Sequence, residues 1–158
     1  MSLFVIIVNM SNKIVLVGGP ARNAKSIVLA GGCFDILHYG HIHFLKSAKK
    51  LGDYLVVILE SDIRIKNLKG HTRPFHNQNQ RRETLEALSF VDEVIILKDE
   101  MTDKDYENII KKISPKIIAI TKGSKTKTHA ELVNSTVVEI EKIEVASTSQ
   151  IAKLLEME

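Results

Sequence analysis

Gly31-Gly32-Cys33-Phe34-Asp35-Ile36-Leu37-His38-Tyr39-Gly40-His41 is the stretch around which the chain is organised. It follows a short apolar run, Ile27–Ala30, and leads into an amphipathic segment, Ile42–Leu51. Strand, glycine turn, histidine pair and helix is the layout of a phosphate site in an α/β protein. Backbone N–H groups at a helix start attract anions, and glycine lets the backbone approach them closely. His38 and His41 are expected to add positive charge where the phosphate would lie.

Outward from this stretch, strands alternate with helices. Apolar strands are expected at Ile27–Ala30, Tyr54–Leu59, Glu93–Leu97 and Lys116–Ile120, with a further strand region over Thr136–Val145. Helices are expected over Gly40–Leu51, over Gln78–Phe90, from the Thr102 N-cap to Ile113, briefly near His129, and from Ser147 or Thr148 to about Leu155. Glu60–His76 reads as a polar, basic connection broken by Gly70 and Pro74, and Thr121–Thr128 as a basic loop. This alternation predicts an α/β, Rossmann-like, doubly wound parallel sheet of about five strands with helices on both faces. Ligands then sit beyond the carboxyl ends of the strands. Residues 1–26 read as an N-terminal extension in which Leu3–Val8 and Lys13–Val17 form a hairpin, and residues 27–158 as the functional domain. Gly18–Ser26 ends in Lys-Ser but lacks the glycine before the lysine that a phosphate loop needs, so it reads as a plain connection.

The bulk properties agree. The chain has 158 residues, enough for one domain with a real core; 44% are hydrophobic and 26% charged, a soluble globular balance. A net charge of +3 suits an anionic small molecule and is too weak to argue for nucleic acid. One cysteine, Cys33, excludes an internal disulfide and fits a reducing compartment. Leu3–Val8 is too short to span a bilayer and lacks a basic start and a cleavage site, so a cytoplasmic protein with no membrane role is expected.

His38 and His41 suit phosphoryl-group chemistry, which needs positioning and electrostatics more than covalent steps. A rival is zinc, because Cys33, His38, His41 and His43 are all competent ligands, although no second cluster has structural-site spacing. Cys33 reads as a small turn residue and not as a nucleophile.

At this point the stretch becomes recognisable. Gly32–His41 closely resembles the His-x-Gly-His signature of the cytidylyltransferase-like nucleotidyltransferases. The resemblance continues through Ala48–Asp53, through Glu60-Ser61-Asp62, Lys66 and Leu68–Pro74, through Gln80-Arg81-Arg82 to Val94, and into Ser147–Ile151. Leu68-Lys69-Gly70-His71-Thr72-Arg73-Pro74 most resembles the adenylyltransferase domain of ADP-heptose synthase, of lipopolysaccharide core biosynthesis. Archaeal-type FAD synthetases and glycerol-3-phosphate cytidylyltransferases share most of the same blocks.

The resemblance implies transfer of a nucleoside monophosphate, AMP from ATP ahead of CMP from CTP, to a phosphorylated small molecule such as heptose 1-phosphate, with release of pyrophosphate. It implies catalytic roles for His38, His41, Lys66 and Arg81, the arginine reaching the pyrophosphate. It implies that Gly32, Cys33, Phe34, Asp35, Gly40, Arg73, Lys122, Gly123, Ser147, Thr148 and Ser149 bind nucleotide or phosphate. Arg73 would hold the acceptor phosphate, and Asp35 would assist Mg²⁺, orient a neighbouring group or cap its own turn. Mg²⁺ would arrive with the triphosphate and need no cluster of protein ligands. A homodimer is expected. Two departures stand out. Lys125 replaces an acid of the sugar-phosphate enzymes, and Lys142 stands where arginine is common. They motivate a competing reading, a nucleotide-binding domain that kept the fold and lost catalysis.

Overall fold

The computed structural model describes residues 26–126 and 128–143, together with Gln150 and Lys153. The expected N-terminal hairpin, the Ser147–Ser149 block and most of the expected last helix lie outside the described residues. The chain order is β1 (Ile27–Gly32), α1 (Tyr39–Lys49), β2 (Tyr54–Leu59), α2 (Asp62–Lys69), α3 (Gln78–Glu86), β3 (Glu93–Ile96), α4 (Asp103–Ile113), β4 (Ile117–Thr121), a 3₁₀ turn (Ala130–Val133) and β5 (Thr136–Ile140).

The five strands form one parallel sheet in the order β3-β2-β1-β4-β5. The first strand is therefore central, and strand order reverses beside it. Side chains alternate across each strand. Val28, Ala30, Leu55, Val57 and Leu59 pack on the face covered by Leu45 and Ala48 of α1 and Leu85 of α3. Leu29, Val56, Ile95 and Ile118 pack on the opposite face against Ile109, Ile110 and Ile113 of α4. Two buried faces explain the near-continuous apolar runs of the strands.

The connections keep the sheet in register. Asp53 and Tyr54 donate their backbone N–H groups to the Ser26 carbonyl, which brings the end of the α1 turn against the start of β1. A Cβ on Gly52 would stand 2.6 Å from that same carbonyl oxygen, so only glycine fits.

The structure differs from expectation in three elements. Residues 62–69 form α2, where a polar connection was expected. Ser61 caps it by accepting from the Arg64 N–H, Ile65 is its buried anchor, and Gly70 stops it at φ +98°. One buried apolar residue in eight leaves no helical period to read. The third helix ends at Glu86, short of Phe90. β5 ends at Ile140, short of Val145.

Among the described residues no helix is long and apolar enough to cross a membrane.

Candidate active site

The site grows from the carboxyl end of β1. Past Gly32 the chain turns through Phe34, which holds a left-handed backbone conformation at φ +43° with its ring buried. A bulky residue rarely adopts that conformation, and it persists because the surroundings over-determine it. The buried ring meets the His41 ring edge-on, at 5.3 Å between centroids.

His38 is the N-cap of α1, and its Nδ1 accepts from the Gly40 N–H at 3.1 Å. Occupying Nδ1 as an acceptor leaves the ring proton on Nε2, which is then a donor. The His38 and His41 rings stack at 3.9 Å between centroids. Burial lowers the pKa of both. His41 falls to about 4, with the positive charges of a protonated His38 and of Lys69 adding to the effect and the Ile36 backbone and Asp35 opposing it. His38 is lowered by burial and then by Lys69. The histidines are therefore neutral hydrogen-bonding groups at neutral pH, and the expectation that they bring positive charge is corrected.

The fixed charge comes from lysine. A cleft of about 300 Å³ is lined by Gly32, Cys33, Phe34, Gly40, His38 and His41 on the β1 side. Lys69 borders it from the end of α2, and Thr121, Glu141 and Lys142 close it from β4 and β5. Lys66 is exposed on α2 and is not among the residues lining the cleft. Lys69 stands where Lys66 was expected to act. The helix phase decides between them, and that phase could not be read without recognising α2.

Arg81 and Arg73 take roles different from those expected. Arg81 is 1% exposed. Its Nε donates to the His76 carbonyl at 3.0 Å, Nη1 to the Cys33 carbonyl at 2.5 Å, and Nη2 to the Glu60 carbonyl at 2.9 Å and to Asp62 at 2.7 Å. It ties three loops together and presents no free fork to a pyrophosphate. Arg73 is buried against Asp35, with Nε donating to Oδ2 at 2.5 Å. The other oxygen of Asp35 accepts from the Phe75 and His76 N–H groups. Asp35 thus pins residues 73–76 to the β1–α1 loop. This is the orienting role expected of it, directed at residues 73–76.

Lys122 and Gly123 form the turn after β4. The Lys122 ammonium pairs with Glu141, and Gly123 holds φ +76°. Neither is among the residues lining the cleft, although Thr121 beside them and Glu141, the partner of Lys122, are. Among the described residues no group of three or more His, Cys, Asp or Glu is assembled that could hold a metal ion. The zinc set of Cys33, His38, His41 and His43 does not form.

Comparison with known proteins agrees with this geometry. The family description "Cytidylyltransferase-like" matches residues 29–154. The bifunctional protein HldE of Campylobacter fetus is 52% identical over 97 residues, covering 61% of this chain and 20% of the relative. The chain thus spans about a fifth of that relative's length. An FAD synthase of Thermococcus sibiricus is 41% identical over 140 residues, covering 82% of this chain and 92% of the relative. Among solved structures, the lipopolysaccharide core biosynthesis protein of Thermoplasma volcanium superposes with a TM-score of 0.63 at 35% identity, covering 75% of this chain and 98% of that one. A neutral histidine pair at a helix start, a lysine-bordered cleft at the reversal point of a parallel sheet and a match over most of the chain converge: this protein belongs to the cytidylyltransferase-like family of nucleotidyltransferases.

Proposed function

We propose that the protein transfers AMP from ATP to a phosphorylated small molecule, with heptose 1-phosphate as the leading acceptor. An acceptor phosphate oxygen attacks the α-phosphorus, the bond to the bridging oxygen breaks, and pyrophosphate leaves. The observation that carries this reading is the stacked pair of His38 and His41 over a cleft bordered by Lys69 and Lys142. The Nε2–H of His38 donates to an α-phosphoryl oxygen, and the start of α1 adds its backbone N–H groups. Lys69 and Lys142 supply the charge that draws in the triphosphate as mobile ammonium groups. Mg²⁺ enters as part of the nucleotide substrate and offsets its phosphate charge. The nucleoside lies over β4 and β5, along Thr121 and Glu141. We further propose a homodimer in the reducing cytoplasm, and sedimentation measurements test the dimer.

The resemblance of Leu68–Pro74 to the ADP-heptose synthase domain supports heptose 1-phosphate. FMN is the second reading, supported by the chain's 92% coverage of an FAD synthase. Pyrophosphate release with ATP or CTP, paired in turn with heptose 1-phosphate, FMN and glycerol 3-phosphate, separates them. Release only with ATP and heptose 1-phosphate supports the leading reading. Release with no pair favours a nucleotide-binding domain without catalysis.

A further inference from the structure

A second polar pair stands at the carboxyl end of the sheet, outside the cleft. Glu60 follows β2 directly, and its N–H bonds the Gly32 carbonyl of β1. Tyr106 reaches it from α4, donating its hydroxyl toward both carboxylate oxygens at 3.1 and 3.2 Å. Burial pushes the Glu60 carboxyl above its usual range, and burial followed by the Glu60 charge pushes Tyr106 up to about 12. Tyr106 also packs against the α4-side core, which fixes its ring. Cys33, which lines the cleft, lies within electrostatic reach of both groups. The pair is therefore the β2-side neighbour of the cleft. Nothing in the proposed transfer uses it.

In-line displacement needs the attacking and leaving oxygens on opposite sides of the α-phosphorus. With the nucleotide extended over β4 and β5, the acceptor approaches across β1 from the β2 side, where Glu60 stands. A carboxylate is unsuited to the acceptor's phosphate, which it repels. It offers about four lone-pair positions, and one phenol fills only part of that capacity. Arg64 and Arg81 both act on it electrostatically, which disfavours a second cation there. What remains complementary is a neutral donor, a hydroxyl or a ring N–H.

Building on the proposed transfer, we infer that Glu60, held in place by Tyr106, selects the acceptor by accepting hydrogen bonds from hydroxyl or N–H groups on its non-phosphate part. Glu60 is the contact, and Tyr106 is a positioning residue.

The test uses the full chain, with Glu60→Gln and Tyr106→Phe. Acceptor KM, ATP KM and kcat are measured with heptose 1-phosphate, FMN and glycerol 3-phosphate. Acceptor binding is measured by calorimetry with a non-hydrolysable ATP analogue present, and propyl phosphate serves as a probe without hydroxyls. Hydrogen bonds to a charged group support an acceptor KM or Kd raised roughly 10- to 100-fold in Glu60→Gln. ATP KM and weak propyl phosphate binding stay unchanged. Tyr106→Phe shows a smaller rise in acceptor KM at unchanged ATP KM, a split that general loosening of the fold does not produce. Three results overturn the inference: unchanged acceptor KM and Kd in Glu60→Gln, equal losses for acceptor and ATP, or a wild-type protein that binds no panel member better than propyl phosphate. In the first two cases pyrophosphate release by wild type keeps the transfer standing. If wild type releases none with any pair, the transfer falls as well.

Discussion

Two loops meet over the end of β1, and they use their basic side chains in opposite ways. The β1–α1 loop sends His38 and His41 to the cleft as neutral rings. The segment from residue 60 to 81 keeps Arg73 and Arg81 buried and spends their donors on Asp35, Asp62 and the carbonyls of Cys33, Glu60 and His76. A guanidinium has five donors in a rigid fork and is always charged, so it can join several loops when every donor finds an acceptor. An imidazole has two nitrogens and loses its charge on burial, so it suits a surface that must meet a ligand without repelling nearby lysines. The loops differ because one builds the wall and the other faces the cleft.

The largest way to break this contrast is to remove a clamp. Arg81→Ala leaves buried acceptors unpaired, and Asp35→Ala leaves Arg73 buried without its partner. Breaking a buried pair of this kind costs about 3–5 kcal/mol of folding stability. Each variant should unfold at a clearly lower denaturant concentration. If Arg81→Ala keeps the wild-type midpoint and loses only pyrophosphate release, the arginine is a ligand after all.

A variant at the facing loop should do the reverse. His41→Ala removes a group that the proposed transfer sets beside the α-phosphate, and a transition-state contact of this type is worth ~2.7–4 kcal/mol, or about 10²–10³ in kcat. Its denaturation midpoint should move less than those of the clamp variants. Turnover within a few-fold of wild type would refute the assignment.

The lysines sharpen the contrast at smaller scale. Lys69→Ala removes a charge at the cleft, and a charge-assisted contact to phosphate is worth about 1.5–3 kcal/mol. KM for the triphosphate should rise accordingly. Lys66→Ala, one helical turn away and exposed, should change it by less than about 0.5 kcal/mol. The opposite ranking would return Lys66 to the site.

How far the sequence carries is seen in these same residues. The strands, the glycine turn and the helix that starts at the histidines are legible because apolar period and capping chemistry are local. Thr102 caps α4 through a box with Asp105, and that signal lies within four residues. The clamps are not legible in this way. Three of the four partners of Arg81 are backbone carbonyls, those of Cys33 and Glu60 lying far off in sequence, and a backbone carbonyl carries no mark in the sequence. α2 is hidden because only Ile65 is buried, and without it the choice between Lys66 and Lys69 has no basis. Glu60 was visible within a motif block, directly after an apolar strand, but its bond to Tyr106 depends on how α4 lies on the sheet. The neutral state of the histidines is equally a product of packing, since His41 reads as an ordinary titrating side chain until Phe34 and the sheet cover it.

That neutrality gives the smallest and most particular test. The pKa of His41 falls from an ordinary 6.5 to about 4 on folding. The unfolded chain therefore binds more protons than the native state between those values, and over that window stability falls as the pH drops. The contribution of His41 is complete above pH 6.5, declines as pH drops, and is gone below about 4. In His41→Gln, which keeps a polar side chain without a titrating ring, denaturation midpoints measured across this window should fall less steeply than in wild type. The lysine that faces both rings gives the cross-check. Lys69→Ala removes a positive charge that depresses both pKa values, so the His38 and His41 titrations followed by NMR should move upward together. Equal slopes in His41→Gln and wild type, with unmoved titrations in Lys69→Ala, would mean that the histidines are not held neutral over the cleft. The distinction between the two loops would then rest on the arginines alone.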